Sequence, residues 1–267
     1  MSKEKVVIIT GASSGIGRAC AQAYLSAGHT VVLAARRMSE LEKSVAGFES
    51  KSYKLVICDV GKPEQCKQLI DETMNAFGRI DVLINNAGIS MRALFNDAEV
   101  SVLDKVMQIN FWGMVYCTKA ALPYIIESKG SVVGISSIAG YRGLPGRTGY
   151  SASKFAMNGF LESLRTELLP SGVHVLTVCP GFTSSNIRNH SLTADGSAQG
   201  KSPRDEAKMM TSEEVALRTM KAIDSRRRSL LLTRQGKLTV FLNKWFPKFM
   251  DKKIYEVMAK EDNSPFK

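Results

Sequence analysis

Lys5-Val6-Val7-Ile8-Ile9-Thr10-Gly11-Ala12-Ser13-Ser14-Gly15-Ile16-Gly17 opens the patterned part of this chain. The unbroken apolar run is what a strand buried on both faces requires. A glycine turn follows, and Arg18 to Ala27 then reads as a helix stopped by Gly28. Strand, glycine turn and helix in that order allow a tight bend and a close backbone approach. They also leave helix N-terminal N–H groups free to hold a pyrophosphate. The spacing is G-x-x-x-G-x-G rather than G-x-G-x-x-G.

The same alternation continues outward. Strands are expected at Thr30–Ala35, Tyr53–Val60, Asp81–Ile84, the run ending at Ser136, Val173–Val178 and Ser229–Thr233. Helical patterns lie between them at 39–49, 63–77, 101–124 and from Tyr150 to about Leu169, with another starting near Thr211 or Ser212. Alternating strands and helices give an α/β fold, a doubly wound parallel sheet of about seven strands with helices on both faces. Open sheets of this kind bind ligands at the carboxyl ends of their strands.

The end of the second strand bears on the cofactor. A site for NAD wants a carboxylate there for the ribose hydroxyls. This chain instead has Arg36 and Arg37, whose guanidinium forks suit a phosphate monoester. NADP(H) is therefore expected over NAD(H).

Tyr150-Ser151-Ala152-Ser153-Lys154 places a phenol and an ammonium four positions apart, on one helical face. A cation that close is expected to lower the phenol pKa from its usual ~10. Ser137 ends the fifth apolar run and brings a hydroxyl to the same sheet edge. Asn110, in an otherwise apolar helical stretch, needs a partner or a function.

The length of 267 residues and 44% hydrophobic content suit one sizeable domain. Five cysteines without a C-x-x-C pair read as buried free thiols in a reducing compartment. The three histidines keep no ligand spacing with them, so no metal site is expected. No signal peptide is visible, and no apolar run approaches the ~20 residues needed to span a bilayer. The expected place is the cytoplasm, with membrane association as a further reading. The net charge is +11, and from Arg218 to Lys253 there are eleven Lys/Arg against two Asp/Glu.

With these motifs in this order the chain resembles the short-chain dehydrogenase/reductase family over roughly residues 5–233. The carriers are Thr10-Gly11-x-x-x-Gly15-x-Gly17, Asn85-Asn86-Ala87-Gly88, Asn110, Ser137, Tyr150-x-x-x-Lys154 and Pro180-Gly181. The resemblance implies a Rossmann-type fold and ketone–alcohol interconversion. Gly11, Ser13, Ser14, Gly15, Ile16 and Gly17 would form the cofactor loop, and Arg36 and Arg37 would meet a 2′-phosphate. Asp59 and Val60 would flank the adenine, with Asn86, Ala87 and Gly88 on the adenosine side. Lys154 would hold the nicotinamide ribose and Thr183 the carboxamide. Ser137 would orient the substrate oxygen, Tyr150 would pass the proton, and Asn110 would hold a relay water. Some NADP-using relatives carry a basic residue where this chain has Ser14, so the nucleotide preference rests on the arginine pair. The helices from Ser101 and Tyr150 would form a homodimer or homotetramer interface.

Met91, Leu94, Tyr141, Leu144 and Phe182 are candidates for an apolar, lipid-like substrate cleft, and Ser184–Met210 for a mobile lid over it. Residues 1–233 would be the catalytic domain and 234–267 a basic amphipathic extension. In that extension Leu238, Phe241, Trp245, Phe246 and Phe249 interleave with Lys237, Lys244, Lys248, Lys252 and Lys253. It would pack on its own body or a twin subunit, cover the cleft, or lie on an anionic membrane. Pro247 should break it in two. Nucleic-acid binding is not expected, since no recognised motif accompanies the basic end. A catalytically silent cofactor- or partner-binding protein is the alternative function.

Overall fold

Every residue of β1 (Val6–Thr10) and β2 (Thr30–Ala35) is buried, and alternate residues feed opposite layers. In the computed structural model, which describes residues 4–185, 187–200, 202 and 209–266, these strands form the middle of a wholly parallel sheet. The others are β3 (Tyr53–Ile57), β4 (Val82–Asn85), β5 (Ser131–Ile135), β6 (His174–Cys179) and β7 (Ser229–Leu231). The order is β3-β2-β1-β4-β5-β6-β7, so the winding reverses between β1 and β4. On one face Val7, Ile9, Val31 and Leu33 pack with α1 (Gly15–Ser26), α2 (Met38–Ser44) and α7 (Ser212–Asp224). On the other, Ile8, Val32 and Leu83 pack with α3 (Pro63–Phe77), α5 (Gly113–Ser128) and α6 (Thr148–Glu167). Five free cysteines lie buried in these layers. No metal-holding cluster is found among the described residues.

Three expected boundaries shift, each for a local reason. β3 stops at Ile57, because Asp59 turns the chain: its carboxylate accepts from Gly61 N at 3.0 Å and its own N–H donates to Gln65 Oε1 at 2.7 Å. α2 ends at Ser44, whose hydroxyl donates back to the Glu40 carbonyl at 2.8 Å. The helix expected over 101–124 is α4 (Val100–Met107), a π-helical turn (Gln108–Trp112) and α5. The wider turn carries Asn110 inward, a displacement that apolar periodicity does not encode.

Within 184–210, Arg92 N donates to Leu192 O at 2.7 Å and Leu192 N to Ser90 O at 2.9 Å, while Thr183 pairs with Met210. That much of the expected lid is tied to the body. Residues 186, 201 and 203–208 of it lie outside the described residues.

The extension is α8 (Arg234–Trp245) and α9 (Pro247–Ala259), divided at Pro247 as expected. No helix among the described residues is long and apolar enough to cross a membrane. Both helices are fastened to the body. Asn243 Nδ2 donates to Tyr141 O at 3.2 Å, and Arg142 pairs with Asp251 at 2.7 Å. Just beyond α9, the buried Glu261 carboxylate accepts from Arg147 at 3.0 Å and lies 3.4 Å from Arg92.

Removing one partner of a buried ion pair costs about 3–5 kcal/mol. Glu261→Ala strips both guanidiniums of that carboxylate, so α9 should open more readily. Hydrogen exchange of amides 248–259 should accelerate at least tenfold, with exchange in β1 and β4 unchanged. Unaltered protection in α9 would show that Glu261 does not hold it.

Candidate active site

The reversal of winding opens a cleft of about 900 Å³ at the carboxyl edge of the sheet. At one end stands the glycine loop. Gly11 (φ +65°) and Gly15 (φ +53°) hold left-handed conformations that side chains resist. A Cβ on Gly11 would come 2.8 Å from Ala87 Cα, so the loops after β1 and β4 touch. α1 begins with no side-chain cap at Ser14 and no acidic residue in its first turn. Its leading N–H groups therefore remain free for an anion. Ser13, Ser14 and Ile16 line the cleft. Gly17 does not. A Cβ there would collide with Asn86 Nδ2 and Gly11 O, so Gly17 serves packing.

Thr10 and Asn86 lock the two loops together. Thr10 Oγ1 accepts from the Asn86 and Ala87 N–H groups at 3.0 and 3.1 Å, and Asn86 Nδ2 donates to Thr10 O at 2.9 Å. Arg36 and Arg37 reach the cleft at the end of β2, and Asp59 and Val60 face them from the loop after β3. Ala87, Gly88 and Thr183 also line it. The free helix terminus and the left-handed glycines together fit the pyrophosphate of a dinucleotide.

At the other end Tyr150, on α6, and Ser137 both line the cleft, and the Ser137 hydroxyl is near enough to favour the Tyr150 phenolate. Ser137 is held in place as the cap of the short 3₁₀ turn Ile138–Gly140, accepting from Ala139 N at 3.1 Å. One turn further along α6, Lys154 is buried and donates to the Ile135 carbonyl at 2.9 Å. Its Nζ lies 5.7 Å from the centre of the Tyr150 ring. Asn110 does not line the cleft; it is fully engaged beneath it. Its Oδ1 accepts from Ile89 N at 2.8 Å, and its Nδ2 donates to Ile89 O and to Ser153 Oγ, each at 2.9 Å. Ser153 Oγ donates in turn to Tyr150 O at 2.7 Å. Asn110 thus ties the β4 loop to the turn of α6 that carries the tyrosine.

The electrostatics correct one expectation. Burial pushes the Tyr150 phenol up from its usual value, against the nearby Ser137 hydroxyl and the positive fields of Arg147 and Arg188. Desolvation also depresses Lys154, to about 8, with the nearby Cys179 sulfur opposing. A buried ammonium and a buried phenol both lose hydration, and for each that loss is the largest effect. Cys179, beside Ser136 at the end of β6, is pushed up to about 12 by burial and stays a thiol.

Sequence reasoning missed Arg147, Arg188 and Ser153. Arg147 and Ser153 stand within three residues of Tyr150 without any motif to mark them, and Arg188 falls in the aperiodic segment. Of the apolar candidates, Leu144 and Phe182 line the cleft, whereas Met91 is packed in a small core with Val102 and Val106. Ile187, Ile254, Val257 and Met258 also line it, the last three contributed by α9.

Residues 5–195 match the family model described as short chain dehydrogenase. Among curated proteins, the chain is 40% identical over 236 residues to dehydrogenase/reductase SDR family member 7B of Xenopus laevis, covering 85% of this chain and 73% of that one. It is 42% identical over 187 residues to 11-beta-hydroxysteroid dehydrogenase A of Sesamum indicum, covering 68% and 53%. Among solved structures, a short chain dehydrogenase/reductase from Burkholderia phymatum in complex with NAD superposes with a TM-score of 0.80 at 27% identity, covering 92% and 95%.

The depressed Lys154 has a consequence for stability. Unfolding returns its pKa from about 8 to a value near the usual ~10.4. Between those values the unfolded chain binds more protons, so this group's contribution to stability rises with pH. The stability of the protein relative to Lys154→Met should therefore increase by about 3 kcal/mol from pH 7 to pH 11 in urea unfolding. A difference that stays flat would mean the ammonium is hydrated.

Proposed function

The chain belongs to the short-chain dehydrogenase/reductase family, and we propose that within it the protein is an NADP(H)-dependent oxidoreductase interconverting a ketone and a secondary alcohol. The observation that carries this reading is the meeting of Ser137, Tyr150 and the buried Lys154 in one cleft, with the ammonium 5.7 Å from the centre of the tyrosine ring. When bound, the dinucleotide supplies or accepts the hydride. The glycine loop and the start of α1 would hold its pyrophosphate, and Lys154 its ribose. Thr183 would meet the carboxamide, and Arg36 and Arg37 the 2′-phosphate.

Ser137 Oγ and Tyr150 Oη would hydrogen-bond the substrate oxygen where negative charge develops. Tyr150 Oη donates its proton to that oxygen in the reductive direction. The raised phenol pKa keeps the proton on Tyr150 until it is needed, and Arg147 and Arg188 then favour the phenolate. Lys154, held on the Ile135 carbonyl, fixes the positive side of this path. Asn110 acts by position, through Ile89 and Ser153.

Leu144, Phe182, Ile254, Val257 and Met258 support an apolar, lipid-like substrate, as do the relatives named for hydroxysteroids. A homodimer through α4, α5 and α6 is supported by the exposed Trp112, in the π-helical turn between α4 and α5, and the exposed Phe155 on α6. Buried free thiols support a reducing, cytoplasmic setting.

Two measurements follow. Tyr150→Phe should lower carbonyl reduction by ~10²–10⁴-fold while NADPH binding persists; full turnover in the variant would remove the tyrosine from the reaction. NADPH should bind more tightly than NADH, and Arg36→Ala with Arg37→Ala should equalise the two. Equal affinities in the unaltered protein would overturn the nucleotide assignment.

A further inference from the structure

The extension has two faces with opposite character. Inward, Gly236 packs on Ile138, Met250 and Met258 are buried, and Glu261 closes the far end on Arg147 and Arg92. Outward, Leu238, Phe241, Trp245, Phe246 and Phe249 each keep more than half of their surface in solvent. Leu238, Phe241 and Trp245 follow i, i+3, i+7 spacing, so they share one face of α8. Folding has therefore fixed the arm to the body without covering this face. A contiguous exposed apolar patch on a fixed element marks an interaction surface.

We infer that the outer face of α8 and α9 docks on an anionic lipid bilayer. Its rim selects that partner. Lys237, Lys244, Lys248, Lys252 and Lys253 are all exposed around the aromatic residues. From 234 to the end of α9 the acidic residues are Asp251, bound to Arg142, and Glu256, bound to Lys253 at 2.9 Å, so Lys237, Lys244, Lys248 and Lys252 carry the excess. Aromatic and leucine side chains bordered by lysines are the chemistry of an interfacial helix, with rings at the headgroup level and ammonium groups on the phosphates. A second copy would bring an identical basic rim against this one, and like charges in apposition oppose that pairing. Val257 is both exposed and part of the cleft lining, so the docked face sits beside the substrate end. Delivery of an apolar substrate from the lipid rests on the oxidoreductase reading; the docking itself does not.

The test uses the full chain without substrate. Binding is measured by co-sedimentation with vesicles of phosphatidylcholine alone and of phosphatidylcholine with phosphatidylserine. In a Trp112→Phe background, Trp245 emission reports its burial. At least tenfold tighter binding to the anionic vesicles is expected, with a blue shift of Trp245 and weakening by salt. Lys244→Glu with Lys248→Glu, and separately Phe241→Ser with Trp245→Ser, should each lose at least tenfold in vesicle binding while NADPH binding is retained. No binding to anionic vesicles by protein that still binds NADPH would overturn the inference. So would a concentration-dependent blue shift without vesicles, which would assign the face to a second copy. Loss of NADPH binding in the unaltered protein would instead count against the oxidoreductase reading.

Discussion

An ammonium kept out of water at the edge of a parallel sheet is the constraint on which the site depends. Lys154 lies 2.9 Å from the Ile135 carbonyl and is buried. Such a charge is costly unless its surroundings are arranged for it. The arrangement comes from several elements at once. β5 ends at Ile135, α6 runs past that end, and Gly88 leaves room between Lys154 Nζ and Asn110 Oδ1. A side chain at residue 88 would crowd both, since its Cβ would stand 3.6 Å from the ammonium and 3.2 Å from the amide oxygen. Ser137 stands two residues beyond the end of β5, so what fixes the lysine also helps to fix the hydroxyl beside the tyrosine.

The same edge also joins the two ends of the cleft. Thr10 and Asn86 bind the β1 and β4 loops into one unit, and Asn110 binds the β4 loop to α6 through Ile89 and Ser153. The start of α1 and the turn of α6 that carries Tyr150 are thus linked through side-chain hydrogen bonds and the short backbone of the β4 loop. The last segment of the chain reaches this unit too. Glu261 sits on Arg147, the residue before the first turn of α6 and one of the charges that favour the Tyr150 phenolate. The extension is in this way electrostatically continuous with the site, although its outer face stays exposed.

Much of this was legible in the residues. Apolar runs marked the strands because both faces of a parallel sheet are buried, and Pro247 marked the division of the extension because it cannot continue a helix. Other features left no local signature. The π-helical turn at Gln108–Trp112 follows from what Asn110 must reach, not from periodicity. Arg147 and Glu261 are 114 residues apart, and a charge pair at that separation is invisible before the chain folds. The expected lowering of the Tyr150 pKa failed for a related reason: spacing reveals the neighbouring cation but not the lost hydration. Gly17 belonged to the motif, yet its place is against Asn86 rather than in the cleft.

If this edge of the sheet guides a hydride and a proton to one carbonyl group, NADPH should be oxidised in the presence of apolar ketones. With hydrogen or deuterium at C4 of the nicotinamide, one alcohol should form per NADPH consumed, and single turnover should be slower with deuterium. NADPH that binds but is consumed with none of the ketones would contradict this.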